Sequence, residues 1–326
     1  MKAAVIVEQS GRRQLSIQSV PEPEPGPGEV VVRVRASGLN RADLALNANH
    51  RQTAKQQAIP IAGLEFAGEV AKVGEGVANL RAGDKVMGTS AGAYAEYCRI
   101  EARLAFPVPQ GLSWEQAATL PVALATMHDA IVTNGRLKPG ECVLLQGASS
   151  GVGIVGLQIA KLKGAKLALG ASRSSAKLEA LKAFGMDVGV DTSNPDWPDR
   201  VKEATDGRGV ELTVDMVSGG VATGNLHATA ILGRIVNVGR LGGMKGELDF
   251  DLHALKRIDY IGVTFRTRTP DEIEAINRRV IDDLWPHVAA GRIHIPVDRS
   301  FRLDQAADAH AYMRGNAHIG KIVLLA

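Results

Sequence analysis

One stretch of this sequence is decisive for the fold: Leu144-Leu145-Gln146-Gly147-Ala148-Ser149-Ser150-Gly151-Val152-Gly153-Ile154-Val155-Gly156. An apolar run typical of a buried strand leads into a turn of small residues, and a helical pattern follows at once. Small residues let the backbone of such a turn approach a ligand closely. The first N–H groups of the following helix have no helical partner and attract an anion. The spacing of the last three glycines, GxGxxG, in this strand–turn–helix context predicts a dinucleotide-binding turn.

Apolar strand patterns alternate with helical patterns around this turn, from about Leu112 to Tyr260. The first helix is expected at Trp114, because Ser113 and Gln116 are spaced as a capping box. Alternation of this kind predicts an α/β domain, with a parallel sheet that carries helices on both faces. The expected strands are Cys142–Leu145, Lys166–Leu169, Val188–Val190, Val210–Val214 and Ile235–Val238.

The two flanking segments have a different pattern. Short strand candidates at Val30–Ala36, Gly63–Val73 and Ala93–Ile100 predict a compact β-barrel or sandwich before the α/β region. After that region the pattern indicates mixed structure. The expected elements there are a helix at Asp271–Ala290, a strand at Pro296-Val297, a helix from about Leu303 and a terminal strand at Lys321–Leu325.

The end of the second expected strand indicates which dinucleotide binds. An NAD enzyme usually places an acid about 20 residues after the glycines, where it binds the ribose 2′-hydroxyl. Here no acid occurs until Glu179, whereas Ser172, Arg173 and Lys177 offer hydroxyl and cationic donors that suit a 2′-phosphate. The sequence therefore favours NADPH, with its pyrophosphate at Ser149–Val152, that is Ser149, Ser150, Gly151 and Val152.

Composition excludes several other classes of protein. The 326 residues predict two domains, and the net charge of +3 is scattered, so we expect no nucleic-acid partner. No apolar run approaches the roughly 18 residues of a membrane helix, and no signal-peptide pattern is seen. Two cysteines in apolar runs are expected to be reduced and buried. These features predict a cytoplasmic protein without a membrane partner.

The whole chain resembles the zinc-independent quinone oxidoreductase branch of the medium-chain dehydrogenase/reductase superfamily. Several motifs in order carry the resemblance: Gly38-Leu39-Asn40-Arg41-Ala42-Asp43-Leu44, Gly63-Leu64-Glu65-Phe66-Ala67-Gly68, Gly83-Asp84-Lys85-Val86, Ala93-Tyr94-Ala95-Glu96-Tyr97, the glycine turn, Gly239-Arg240-Leu241-Gly242-Gly243 and Gly320-Lys321-Ile322-Val323-Leu324. The resemblance implies a GroES-like β-barrel catalytic domain, split into residues 1–121 and 262–326. A doubly wound Rossmann domain at residues 122–261 is inserted in it, and the active site is expected in the cleft.

No metal is expected at this site. In zinc-dependent relatives a cysteine ligand stands where Asn40 is and a histidine ligand where Leu64 is, and neither residue replaces such a ligand. A group of four closely spaced cysteines, which holds a structural zinc in those relatives, is also missing from the sequence. Without a metal, the substrate carbonyl has to be polarised by hydrogen bonds.

The resemblance also implies a reaction and roles for residues. It implies hydride transfer from NADPH to a small quinone or α,β-unsaturated carbonyl, with the Asn40 amide, Arg266 or water meeting the developing oxyanion. Asn40 and Thr126 match positions beside the nicotinamide, while Gly239, Leu241 and Phe265 are expected along the cofactor cleft. Relatives are commonly homodimers paired through edge strands, and Tyr260–Val263 is a candidate for such an edge, although an internal strand is an equal alternative.

One departure from the family pattern leaves alternatives open. Close relatives carry a glycine and a tyrosine about ten residues after the asparagine, whereas this chain has Asn47-Ala48-Asn49-His50-Arg51-Gln52. The aromatic wall expected for a planar quinone is therefore in question. An enoyl-thioester reductase, a non-catalytic NADPH-binding protein of the same fold and a zinc alcohol dehydrogenase remain as alternatives.

Overall fold

The computed structural model describes residues 1–46 and 59–326. This part of the chain separates into two compact units. The first consists of Met1–Val122 and Phe265–Ala326, and the second of Ala123–Thr264.

Strands dominate the first unit and form the centre of the second. In chain order they are β1 (Lys2–Gln9), β2 (Arg12–Ser19), β3 (Glu29–Gly38), β4 (Glu65–Val73), β5 (Lys85–Thr89), β6 (Tyr97–Glu101), β7 (Phe106–Pro107), β8 (Cys142–Gln146), β9 (Leu167–Ser172), β10 (Val188–Asp191), β11 (Val210–Asp215), β12 (Thr229–Asn237), β13 (Asp259–Gly262), β14 (Val297–Arg302) and β15 (Lys321–Leu325).

The α-helices mostly belong to the second unit. In chain order they are α1 (Trp114–Ala118), α2 (Pro121–His128), α3 (Gly151–Leu162), α4 (Ser175–Leu181), α5 (Trp197–Ala204), α6 (Ala222–Ala228), α7 (Phe250–Lys256), α8 (Pro270–Ala289) and α9 (Ala306–Arg314). The predicted capping box of α1 is confirmed, with Ser113 accepting a hydrogen bond from the Gln116 N–H. No helix in residues 1–46 and 59–326 is both long and apolar enough to cross a membrane.

A seven-stranded sheet forms the centre of the first unit. Its order is β14-β15-β3-β4-β5-β7, with β6 also paired to β3. The terminal strand β15 pairs antiparallel with β3, placing Val323 opposite Gly38. This pairing joins the C-terminal segment of the first unit to its N-terminal segment in one sheet and brings Lys321 near the residues that follow β3.

The β1–β2 hairpin was not among the predicted strands. Its two-residue turn, Ser10-Gly11, has φ of 52° and 71°, the positive values that a type I′ hairpin turn needs. Polar residues in β2 obscure the alternation, because most of that strand is exposed.

The second unit contains a six-stranded parallel sheet in the order β10-β9-β8-β11-β12-β13. The order reverses at β8, which is the doubly wound arrangement predicted from the sequence. Ligands of such sheets bind at the carboxyl ends of the strands near the reversal. In this unit those ends are the residues that follow β8 and β11.

Candidate active site

The glycine turn lies at the carboxyl end of β8, where α3 begins. Ser150 is the N-cap of α3: its hydroxyl accepts a hydrogen bond from the Gly153 N–H at 3.1 Å and donates one to the Gly147 carbonyl at 3.0 Å. Among the described residues, the N–H groups of Gly151 and Val152 have no acceptor. The turn therefore presents unpaired backbone donors at the start of a twelve-residue helix, as binding of a pyrophosphate requires.

Close backbone packing requires glycine at two places, one at the start of α3 and one after β12. A Cβ on Gly153 would lie 2.6 Å from the Ala148 Cα and carbonyl oxygen. A Cβ on Gly239, after β12, would lie 2.7 Å from the Met216 carbonyl oxygen. In both cases the obstacle is backbone, so the turn and the end of the sheet pack with no side chain between them, which fits a bound dinucleotide.

The predicted 2′-phosphate residues lie at the carboxyl end of the neighbouring strand β9. The Ser172 hydroxyl accepts a hydrogen bond from the Ser174 N–H at 3.3 Å, and Ser174 in turn caps α4. Arg173 is exposed, and it makes no hydrogen bond or ion pair to any described residue. Lys177 is half-buried in the first turn of α4. Because β8 and β9 pair in parallel, these side chains lie at the same sheet edge as the glycine turn.

A buried carboxylate organises the loop after β11. One Asp215 oxygen accepts hydrogen bonds from the Val217 and Ser218 N–H groups at 2.8 and 2.9 Å. Burial raises the pKa of Asp215, and these hydrogen bonds oppose the shift. Ser218 has φ 57° and ψ −154°, a backbone geometry that favours glycine, and its hydroxyl donates to the Gly239 carbonyl at 2.7 Å. The loop therefore fixes the backbone of Gly239.

The other predicted cofactor residues fall into both units. Leu241 is 51% exposed, and its Cδ1 lies 4.0 Å from the position that a Cβ on Gly147 would take. Thr126 is half-buried in α2 of the second unit. Phe265 and Arg266 belong to the first unit, where Phe265 packs against the barrel core and Arg266 is exposed.

Asn40 lies in a network of buried polar side chains in the first unit. Its Nδ2 donates a hydrogen bond to Glu65 Oε1 at 2.9 Å, and its Oδ1 accepts one from Lys321 Nζ at 2.7 Å. Lys321 also donates to the Leu39 carbonyl at 3.1 Å and forms an ion pair with Glu65 Oε1. The second Glu65 oxygen accepts from the Val122 N–H at 2.9 Å. Each charged group is therefore paired.

A second carboxylate, that of Asp43, contacts the backbone of Asn40 in the same network. Asp43 Oδ2 accepts hydrogen bonds from the Asn40 backbone N–H at 2.7 Å and from the Tyr94 hydroxyl at 2.9 Å. Burial raises the pKa of Asp43 to about 7, although both hydrogen bonds oppose the shift. Burial also raises the pKa of Tyr94, so the tyrosine stays protonated and donates.

Sequence reasoning identified Asn40 but missed Glu65, Lys321, Asp43 and Tyr94. A signal was present for the two charges that contact Asn40. Glu65 and Lys321 are the first residues of β4 and β15, directly before apolar residues, and charged residues in such places are buried only when they are paired. Glu65 is 0% exposed and Lys321 is 4% exposed.

The structure does not test two predictions from the sequence: the departure from the family pattern after Asn40, and the absence of a bound metal. The segment Asn47–Gln52, where the chain departs from its relatives, lies outside the described residues. Among the residues that are described, no group of three or more histidine, cysteine, aspartate or glutamate side chains is arranged to hold a metal ion.

Comparison with known proteins supports both halves of this description. Residues 26–110 match the family described as alcohol dehydrogenase GroES-like domain, and residues 151–281 match the family described as zinc-binding dehydrogenase. Quinone oxidoreductase-like protein 2 of Rattus norvegicus is 30% identical over 325 residues, covering 99% of this chain and 91% of that protein.

Two further proteins are similar along nearly the whole chain. One component of the phenolphthiocerol/phthiocerol polyketide synthase of Mycobacterium tuberculosis is 31% identical over 319 residues, which are 98% of this chain but 14% of that protein. The structure of mycobacterial Rv1454c complexed with NADPH is 26% identical and covers 100% of both chains, with a TM-score of 0.86.

These similarities extend across both units. The second unit therefore has the fold of a binding unit for a cofactor of the NAD(P) type. The chain belongs to the medium-chain dehydrogenase/reductase superfamily, in its quinone oxidoreductase branch.

Proposed function

We propose that the protein is an NADPH-dependent, zinc-independent oxidoreductase that reduces a quinone or an α,β-unsaturated carbonyl compound. The observation that carries the proposal is the Asn40 amide, which is paired with Glu65 and Lys321 where zinc-dependent relatives carry a metal ligand. An amide N–H is a suitable donor to an oxygen that gains negative charge during the reaction.

The residues of the chain have separate tasks in this reaction. NADPH supplies the hydride when bound. The N–H groups of Gly151 and Val152 hold the pyrophosphate, and Asn40 donates a hydrogen bond to the substrate oxygen, with the exposed Arg266 guanidinium as a second donor to that oxygen. Thr126, Leu241 and Phe265 line the cofactor. The donors remain in place before the substrate arrives, which lowers the cost of reorganisation in the transition state.

The preference for NADPH rests on Ser172, Arg173 and Lys177. An exposed guanidinium that has no partner among the described residues is available to a 2′-phosphate, and phosphate–arginine hydrogen bonds are among the strong ones. The absence of an acidic residue from this segment of the sequence removes the usual acceptor for an NAD ribose hydroxyl.

We also propose that the protein is a homodimer paired through β13. This strand is at the end of the sheet order, with β12 as its strand neighbour among the described residues, and its Tyr260 is 39% exposed. In the adjoining helix α7, Phe250 is 75% exposed and Leu255 is 72% exposed. These two side chains form an apolar surface that a second copy would cover. Sedimentation velocity tests this: Tyr260→Lys places like charges across the expected two-fold axis and should convert dimer to monomer.

The test of the function is oxidation of NADPH and NADH by the metal-free protein against quinones, enones and aldehydes. We expect turnover with NADPH, and a loss of about 10²–10³-fold in kcat in Asn40→Ala, as for removal of one oxyanion donor. NADPH affinity should be kept in that variant, because the turn lies in the other unit. Equal kcat in Asn40→Ala would contradict the proposed role, and stoichiometric zinc in the active protein would contradict zinc independence.

The similarity to a polyketide synthase component makes an unsaturated thioester a necessary member of the panel. Faster turnover of a crotonyl thioester than of any quinone would favour the enoyl-thioester alternative. Tight binding of NADPH without turnover of any member would favour a non-catalytic protein of the same fold.

A further inference from the structure

The orientation of the Asn40 amide is determined by its two charged neighbours. A carboxylate only accepts hydrogen bonds and an ammonium group only donates them. With Nδ2 on Glu65 and Oδ1 on Lys321, both contacts are favourable. Rotation of the amide by half a turn would place its NH₂ against the ammonium and its oxygen against the carboxylate. Both contacts would then be repulsive, so one orientation is selected.

Burial makes this selection strong. Glu65 is 0% exposed, Lys321 is 4% exposed and Asn40 is 8% exposed, so little water is present to replace a lost partner. Interactions between charges are stronger in such surroundings than in water, and an unpaired buried charge is costly. The Lys321–Asn40 hydrogen bond is also charge-assisted, which draws electron density from the amide and makes its N–H a better donor.

One donor of the amide is left over. An asparagine NH₂ has two N–H groups, and among the described residues Glu65 is the single acceptor for Asn40 Nδ2. We propose that Glu65 and Lys321 are positioning residues, which orient the Asn40 amide so that its remaining N–H is held ready for the substrate oxygen. The proposal rests on the proposed function of Asn40, and it assigns the two charges a task beyond stabilising the barrel.

Lys321→Met is the main test, because methionine keeps the length of the side chain and removes the ammonium group. We expect kcat for the best acceptor to fall by about 10- to 100-fold, while the affinity for NADPH changes by less than about twofold. Lys321→Arg keeps the charge and should restore part of kcat. If Lys321→Met does not fold, Glu65→Gln combined with Lys321→Met removes both charges together and should show the same loss of kcat.

A matched control is available in the second unit. Lys256 Nζ donates to three backbone carbonyls at the end of α6, those of Leu226, His227 and Thr229, at 2.8, 2.8 and 2.6 Å. Lys256→Met is the same chemical change at a lysine that contacts no proposed active-site residue in these bonds. It should lower Tm and leave kcat unchanged, so a loss of kcat there as large as in Lys321→Met would overturn the proposal.

A second readout does not depend on turnover. In protein labelled with ¹⁵N-asparagine, the side-chain NH₂ of Asn40 is assigned by its loss in Asn40→Asp. We expect its protons to exchange slowly with solvent in the wild type and at least about tenfold faster in Lys321→Met. Unchanged exchange and unchanged kcat in folded Lys321→Met would overturn the positioning role. If the wild type reduces no acceptor, the proposed function fails, and the exchange rates still decide whether Lys321 orients the amide.

Discussion

The glycine turn and the Asn40 network are the two regions that we propose to present an N–H group to a ligand, but they are built differently. The turn uses the backbone N–H groups of consecutive residues at the start of α3, and these donors carry no charge. The network uses side chains, and the hydrogen bond between Lys321 Nζ and Asn40 joins residues 281 positions apart. A donor made from the backbone depends on the shape of the chain, whereas a donor made from a side chain depends on the groups that hold it.

This difference determines how a substitution impairs each region. A substitution in the turn acts by steric displacement and should damage binding of the cofactor. A substitution in the network acts by leaving a buried partner unpaired, and it should damage orientation or the pH dependence of stability more than cofactor binding.

The largest effect is expected in the turn, from Gly153→Ala. The new Cβ would lie 2.6 Å from the backbone of Ala148, so the start of α3 has to move away from the turn. We expect Kd for NADPH to rise by at least about 100-fold, because a displacement of the helix start separates its N–H groups from the pyrophosphate. Fluorescence titration of NADPH measures this.

Gly156→Ala is the control, three residues further along the same helix. A Cβ there would meet Leu145 Cδ2 at 2.9 Å and Met127 Sδ at 3.0 Å, which are the ends of side chains that can shift. Kd in this variant should stay within about threefold of the wild type. Equal losses of affinity in the two variants would show that the backbone contact is not what the turn requires.

The sequence predicted the turn and the doubly wound sheet because both depend on local patterns. Strands β8, β9 and β12 contain short apolar runs, and small residues are spaced at fixed intervals after β8. Predicted and observed strands differ mainly in their ends, as at β12, which begins at Thr229 instead of Ile235. There, Leu232 adopts φ 61° and is 61% exposed, which no local pattern indicates.

The network could not be predicted in the same way, because pairing between distant residues leaves no periodic pattern. The motifs around Asn40, Glu65 and Lys321 carry the family resemblance, but their spacing does not show that the three side chains meet. That meeting requires the pairing of β15 with β3, which is a property of the folded sheet. Paired buried charges in otherwise apolar strands are the feature that points to such a network.

A smaller effect is expected from Arg173→Ala at the end of β9. The side chain is exposed and makes no hydrogen bond or ion pair within residues 1–46 and 59–326, so its removal should leave the structure unchanged. Loss of a charge-assisted hydrogen bond to the 2′-phosphate costs about 1.5–3 kcal/mol, or roughly 10- to 100-fold in KM for NADPH. KM for NADH should not change, which makes NADH the internal control. An equal change for both cofactors would contradict the assignment.

A matched control for Arg173→Ala is available in α5, where Arg200 pairs with Glu203 on the surface. Arg200→Ala removes the same charge from the same unit, but at a residue that follows β10 instead of β9. It should leave the ratio of the two KM values unchanged, so a parallel change would indicate a general effect of net charge.

The last effect concerns the pH dependence of stability and is expected in the network, from Asp43→Asn. The pKa of Asp43 is about 7 in the folded protein, because burial disfavours the carboxylate that Tyr94, Glu65 and Lys321 surround. An unfolded aspartate has a pKa of about 4, so between pH 4 and 7 the folded chain holds a proton that the unfolded chain has lost. The stability from protonated Asp43 is complete below pH 4 and is lost as the pH rises to 7, by up to about 1.4 kcal/mol per pH unit.

Asp43→Asn removes this dependence, because the amide oxygen still accepts from Tyr94 and the Asn40 N–H but does not titrate in this range. His310, whose ring packs edge-on against Tyr94, has its pKa lowered by burial to about 4 and gives the opposite slope, losing stability as the pH falls below about 6.5. The contribution of His310 to the free energy of unfolding is the same in the wild type and in Asp43→Asn, so it cancels in the difference between them. The free energy of unfolding of the wild type, measured in urea from pH 5 to 8, should therefore fall relative to Asp43→Asn up to pH 7 and run parallel above it. Parallel curves over the whole range would show that Asp43 is ionised in the folded protein, and that the network holds two carboxylates against one ammonium group.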